Sequence, residues 1–259
     1  MAGKGIYYES QFEEATIELL REAHWQYTFG DDIHRKYTDP LIEEDLRNFL
    51  AAQYKDRDLT TSEIDGIVAN LRNTGGQNDY YALRNAFLLY RDGYDFAYSD
   101  GRDNPFRLEY IDFEHPDHNI FRCVNQFVME QGRENRRPDI LLFVNGIPVC
   151  IIELKNPTKQ NATIRDAHTQ ICTRYMRDIP ALLKYCALAV ISDGAKNALG
   201  TIYTPFEFFY EWKKIENEDK AGKGLDTLRT LIRGALSPER ILELSLIHIS
   251  EPTRPRLIS

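Results

Sequence analysis

The chain of 259 residues carries only four cysteines, Cys123, Cys150, Cys172 and Cys186, spread singly through apolar stretches. That scatter excludes a zinc ribbon or a disulfide frame and fits reduced core thiols of a cytoplasmic protein. Long hydrophobic runs are missing too: none approaches the roughly 20 residues of a membrane helix, and no apolar signal region follows Met1-Ala2-Gly3-Lys4. No membrane partner is therefore expected. Internal repeats and low-complexity tracts are absent. No Gly-x-x-x-x-Gly-Lys-Ser/Thr element occurs, and Gly222-Lys223-Gly224 is too short and lacks a buried strand before it, so no nucleotide site is assigned. Positive charge is also scarce, 32 Lys and Arg against 40 Asp and Glu for a net charge of −8. Duplex binding relies on phosphate neutralisation, so any such role rests on local clusters: Arg133, Arg136 and Arg137, then Lys155, Lys159, Arg165, Arg174 and Arg177.

What remains is ordinary globular material, long enough for one large domain or two small ones. Phe12, Ala15, Ile17, Leu19 and Leu20 recur at helical spacing within Glu9–Ala23 and predict an amphipathic helix packed on a sheet. Further helices are predicted near Leu41–Gln53, near Ser62–Leu71 with Thr61 or Ser62 as cap, and over Tyr80–Tyr90 before Asp92-Gly93. From Tyr94 the period changes to two, with strands near Phe106–Phe113 and Ile120–Met129, a hairpin over Asp139–Lys155 and a stop at Pro157. Thr163–Arg177 reads as helix, Ala187–Ser192 as a buried strand turned by Asp193-Gly194, and Thr201–Tyr203 as a short strand. This order predicts an α/β fold, a mixed central sheet flanked by helices. The helical part spans about 9–92, the sheet core about 94–215, and a linker with an exit helix about 216–243. The aromatic run Phe206–Trp212 reads as core or as a face toward a neighbouring domain. His115 and His118 stand three apart, but Pro116 and the loop setting argue against a metal site.

Arg137 to Lys155, R-P-D-I-L-L-F-V-N-G-I-P-V-C-I-I-E-L-K, carries the chemistry. Two β-branched apolar runs flank Asn145-Gly146, a strong hairpin signal, and Asp139, Glu153 and Lys155 sit at its open end. Glu153 and Lys155 share a strand face. A strict two-residue turn would put Asp139 opposite Ile152, on the wrong face. A three-residue loop over Asn145–Ile147, or a bulge, puts it opposite Glu153. Pro148, unable to donate to a ladder, argues against the tightest turn. Two carboxylates held across a strand pair suit Mg²⁺, and a lysine beside them suits phosphodiester hydrolysis.

Asp139 followed by Glu153-Leu154-Lys155, with Pro138 ahead, resembles the PD-(D/E)xK nuclease signature. The wider series resembles the N-terminal nuclease domain of type I restriction enzyme R subunits (HsdR) from about Gly5 to Leu244. It comprises V-N-Q-F at 124–127, R-P-D at 137–139, N-G-I-P at 145–148, I-I-E-L-K at 151–155, R-D-I-P at 177–180 and V-I-S-D-G at 190–194. The resemblance implies a restriction-endonuclease-like core and a Mg²⁺-dependent DNA endonuclease, with Asp139 and Glu153 as metal ligands and Lys155 as catalytic lysine. Gln170 is implied as an accessory or DNA-contacting residue, with Arg137 beside the site; Glu13 matches by pattern the helix-borne acid of some nucleases of this class, but reads first as an ordinary solvated glutamate. The family's Gln-x-x-x-Tyr element is one residue longer here, Gln170 to Tyr175, and residues five apart diverge on an ideal helix. Implied partners are double-stranded DNA, the modification and specificity subunits, and a downstream motor that alone would use ATP. Leu244 onward, L-S-L-I-H-I-S-E-P-T-R, resembles translated sequencing adapter, so 244–259 is expected to be foreign and the motor to be missing. A stand-alone repair nuclease of the same superfamily and a non-catalytic docking module for a DNA motor are the alternatives; Mg²⁺ binding at Asp139 and Glu153 separates the last from the others.

Overall fold

Apolar residues at helical spacing build the N-terminal half. In the computed structural model, which describes residues 3–101, 104–155, 163–212 and 225–247, helix α1 (Gly3–Glu22) buries Phe12, Ile17, Leu19 and Leu20. Helices α2 (Glu43–Gln53), α3 (Thr61–Asn73) and α4 (Asp79–Asp92) follow. The cap of α3 is Thr60, one residue ahead of the predicted pair: its hydroxyl accepts from Glu63 N at 3.2 Å while its own N–H donates to Glu63 Oε2 at 2.9 Å.

The strands are β1 (Gln26–Phe29), β2 (Tyr94–Phe96), β3 (Phe106–Leu108), β4 (Phe121–Asn125), β5 (Met129–Gln131), β6 (Glu134–Arg136), β7 (Ile140–Val144), β8 (Ile147–Leu154), β9 (Leu188–Ser192) and β10 (Asn197–Gly200). Six of them form one mixed sheet in the order β1-β4-β7-β8-β9-β10, parallel at β1–β4 and β8–β9 and antiparallel elsewhere. The predicted strand at Phe106–Phe113 ends at Leu108, and the one at Ile120–Met129 splits into β4 and β5 around a left-handed Gln126 (φ 55°). Thr201–Tyr203 is a turn closed by Thr204 N–H on the Thr201 carbonyl; the strand comes earlier, because Asp193 caps the Ala195 and Lys196 amides and releases the chain at Asn197.

Helix α5 (Ile164–Thr169) continues through a π-helical turn at Gln170–Tyr175 into α6 (Met176–Asp178) and α7 (Pro180–Leu183); α8 (Leu225–Ala235) and α9 (Pro238–Ile247) close the order. Alternation along β7 and β8 sends Ile140, Leu142, Cys150 and Ile152 toward Leu20, Leu46, Ile67, Phe87 and Leu231 of α1–α4 and α8. Leu141, Phe143 and Ile151 face Ala167, Ile171, Tyr175 and Leu182 instead. Helices thus cover both faces, as period-two apolar runs without a polar side require. The four cysteines are free thiols. Among the described residues no helix is long and apolar enough to cross a membrane. Helix α9 runs past the predicted boundary at Leu244, whose side chain packs partly buried against the core. Pro157, Lys159, the linker at 216–224 and the tail from 248 lie outside the described residues.

Candidate active site

The register of the β7–β8 hairpin decides whether a site exists. The turn is the two-residue kind, with Asn145 (φ 50°) and Gly146 (φ 75°) both left-handed and Val144 paired with Ile147. Of the two expected routes to the shift, the loop or a bulge, the hairpin takes the bulge: between Leu142 and Phe143 it makes Cys150, Ile151 and Ile152 face Leu142, Leu141 and Ile140. Val149 is the inserted residue, and Val149 and Cys150 both enter the same core layer. Pro148 fits the tight turn because Phe143–Pro148 is a non-hydrogen-bonded pair and β9 begins pairing only at Cys150. One step beyond Ile140–Ile152, the register sets Asp139 opposite Glu153 on the face covered by α5 and the π-helical turn.

At that sheet end, Asp139 Oδ2 accepts the Leu154 N–H at 2.7 Å, so the two strands are tied through the carboxylate itself. Glu153 is 1 % exposed. Lys155 Nζ donates to Glu153 Oε1 at 2.7 Å and to Gln170 Oε1 at 2.8 Å. Gln170 Nε2 donates to the Tyr175 hydroxyl at 2.7 Å, which donates to Glu153 Oε2 at 3.3 Å. The four side chains close a ring. Burial, then the charge of Asp139, pushes the Glu153 carboxyl up to about 8 against the pull of Lys155 and Tyr175. Burial and Glu153 together raise the Tyr175 phenol, so it stays a donor.

The extra residue between Gln170 and Tyr175 is absorbed by the π-helical turn, in which Met176 N–H reaches back to the Ile171 carbonyl. Five-residue hydrogen bonding stacks residues that a regular α-helix would turn about 140° apart. Tyr175 is thereby on the same face as Gln170, where ideal helical geometry would not have put it. Its ring is also buried among Ile171, Ile151 and their neighbours, which holds the bulge in place.

Glu13 lies two strands away from Glu153, on α1, and is no idle surface acid. It accepts from Asn125 Nδ2 at 2.7 Å and from Gln126 Nε2 at 2.8 and 2.9 Å. Gln126 in turn donates its backbone N–H to the Asp139 carbonyl at 3.2 Å. Sequence reasoning gives Asn125 and Gln126 no role; the available signal is a polar pair closing the apolar strand β4. Arg137 is exposed on the loop entering β7, and Arg133 in the β5–β6 turn and Arg174 in the π-helical turn are exposed too. Arg136 and Arg177 are less available than their spacing suggested, since both grip Asp178, at 2.7 and 2.6 Å. The aromatic run divides: Phe206 and Phe209 pack on His168, while Phe208 and Tyr210 are 64 % and 61 % exposed. An open cleft of about 710 Å³ lined by Arg35, Arg47, Arg72 and Lys184 shares no residue with this site. Its Arg47 and Arg72 are paired with Glu43, Asp65 and Asp39.

Fold and site together define a mixed α/β domain with two carboxylates and a lysine gathered at one sheet end. The chain matches, over residues 6–208, the family described as the type I restriction enzyme R protein N terminus, and it belongs to that family. It is 29 % identical over 247 residues to the type I restriction enzyme HindI endonuclease subunit of Haemophilus influenzae, a match covering 91 % of this chain and 23 % of the relative. It is 24 % identical over 210 residues to the SsaAORF53P endonuclease subunit of Staphylococcus saprophyticus, covering 78 % and 20 %. The EcoprrI endonuclease subunit of Escherichia coli is 32 % identical over 133 residues, covering 48 % and 40 %. The chain thus spans about a quarter of the length of the HindI relative.

Proposed function

We propose that this chain is the DNA-cutting region of a type I restriction R subunit, a PD-(D/E)xK core that hydrolyses phosphodiesters with Mg²⁺. The observation that carries this reading is the bulge-shifted register, which brings Asp139 to Glu153 with Lys155 beside them. The donor set fits the metal: two carboxylates on one face of the hairpin offer only oxygen, as Mg²⁺ prefers. A buried Glu153 whose proton is held up to about 8 lacks the compensation a neighbouring dication provides. Asp139 and Glu153 would hold the ion. Bound there, Mg²⁺ would supply Lewis-acid activation of water and charge for the phosphate.

The rest is done by the chain's own groups. Lys155 places an ammonium where negative charge builds up on the phosphate, and Gln170 and Glu153 fix its direction. Tyr175 steadies the second oxygen of Glu153. Glu13, through Gln126, anchors the backbone that presents Asp139. With a net charge of −8, DNA affinity would draw on the modification and specificity subunits and on the motor of the full assembly, where ATP would enter. Lys155→Ala is expected to reduce Mg²⁺-dependent nicking of supercoiled DNA by roughly 10²- to 10³-fold, measured as loss of the supercoiled band. Unchanged cleavage in the variant rejects the role of Lys155; a wild-type chain that neither nicks DNA nor binds Mg²⁺ rejects the reading.

A further inference from the structure

The loop joining β3 to β4 holds a second polar cluster, far in chemistry from the first. Asp112 is buried, its side chain 5 % exposed, and among the described residues no arginine or lysine pairs with it. Neutral groups fix it: Glu114 N–H and His115 N–H donate to Oδ1 at 3.1 and 2.8 Å, and Gln53 Nε2 donates to Oδ2 at 2.9 Å. Asn119 clamps the same residue's backbone, accepting its N–H at 2.9 Å and donating to its carbonyl at 2.7 Å.

Two imidazoles converge on this carboxylate. His115 Nδ1 is 3.5 Å from Oδ1 and His118 Nδ1 is 3.0 Å from Oδ2. Pro116 starts the single 3₁₀ turn Pro116–His118 and bends the chain so that the rings stack, centroids 4.9 Å apart at 17°. The proline that argued against a metal site in the sequence is what turns both rings toward one carboxylate. The rings are 60 % and 50 % exposed, leaving the outer side open to water.

We propose that Asp112, His115 and His118 bind one zinc-class dication. Both rings present the same nitrogen to one preset carboxylate, and all three donor atoms lie within 4.8 Å of one another. With metal–ligand bonds of about 2.0–2.1 Å, adjacent donors of a tetrahedral zinc site stand roughly 3.3 Å apart, between the two separations seen here. In the metal-free chain His118 Nδ1–H donates to the carboxylate at 3.0 Å, and a dication would bind there by displacing that proton. A nitrogen-rich set selects a borderline d-block ion over Mg²⁺, so this site and the carboxylate pair at Asp139 and Glu153 take different metals. The ion's structural effect reaches the hairpin, because Asn119 Oδ1 also accepts from Asn145 Nδ2 at 2.8 Å inside the turn.

The test is calorimetric titration of the chelator-stripped chain with Zn²⁺ alone at neutral pH. One zinc per chain is expected, with affinity reduced at least about tenfold by His115→Ala and by His118→Ala. Both histidines are half-exposed, so these variants keep the fold, which circular dichroism checks. Glu153→Gln should leave this zinc binding intact, so the result stands apart from the nuclease reading. Equal zinc affinity in the wild type and a His115→Ala/His118→Ala double variant, or no binding at millimolar zinc, overturns the proposal.

Discussion

Glu153→Gln is expected to abolish Mg²⁺-dependent cleavage, by about 10³-fold or more, while making the metal-free chain more stable above neutral pH. The two effects share one cause. Burial and Asp139 hold the carboxyl up to about 8, against 4.5 for a free glutamate. The folded-state value is raised, so below 4.5 the group is protonated in both states and imposes no penalty. Between 4.5 and about 8 the unfolded chain ionises first, and stability falls as pH rises; above 8 the full penalty persists. The shift corresponds to at most about 5 kcal/mol. Glutamine has no such window. Part of the gain is lost, because an amide oxygen cannot take both the Lys155 and the Tyr175 hydrogen bonds. A net rise of roughly 5 °C in the unfolding midpoint at pH about 8, and little at pH about 5, is therefore expected. Saturating Mg²⁺ should flatten the same pH slope in the wild type. Scanning calorimetry at the two pH values decides the matter; parallel slopes in wild type and variant would show that Glu153 is not held protonated.

How far the sequence could lead to this ring is clear from its members. Glu153 and Lys155 were legible because a strand's period of two is rigid. The opposition of Asp139 was legible only as a condition, since the shift depends on where an extra residue is absorbed. Val149 is chosen by the core, where it and Cys150 fill one layer, and no local propensity marks it. Tyr175 shows the same limit from the helix side. Its spacing from Gln170 announced an insertion, but the π-helical turn that repairs it is held by Glu153 and buried neighbours distant in sequence. Strand β1 was missed for a related reason: four residues, mostly exposed, become a strand only by parallel pairing with β4 nearly a hundred positions on. Helices α2, α3 and α4, by contrast, were visible to within about two residues, because a buried stripe at helical spacing is written locally. The convergence of His115 and His118 on Asp112 was not legible, because it depends on the single 3₁₀ turn that Pro116 starts.

Gly146→Ala is expected to be the most destabilising small substitution in the hairpin. Gly146 sits at φ 75°, and an added Cβ would lie 2.1 Å from the Ile42 carbonyl oxygen. The left-handed backbone alone costs an L-residue about 1–2 kcal/mol. The clash adds more, because its partner is backbone that cannot rotate away, and that backbone is held in place by Ile42 N–H donating to the Gly146 carbonyl at 2.9 Å. A total loss of at least about 3 kcal/mol follows, or roughly 6–12 °C in the unfolding midpoint for a domain of this size. Gly132→Ala supplies the comparison. It has a similar φ of 64° in the β5–β6 turn, but its added Cβ would meet nothing within 4 Å, so only the conformational cost remains. If the two variants unfold together, the docking of the turn on Ile42 contributes nothing. If Gly146→Ala falls well below Gly132→Ala and also loses cleavage at temperatures where it is still folded, the turn acts through register. The same two-residue turn and bulge that seat it against Ile42 are what hold Asp139 opposite Glu153.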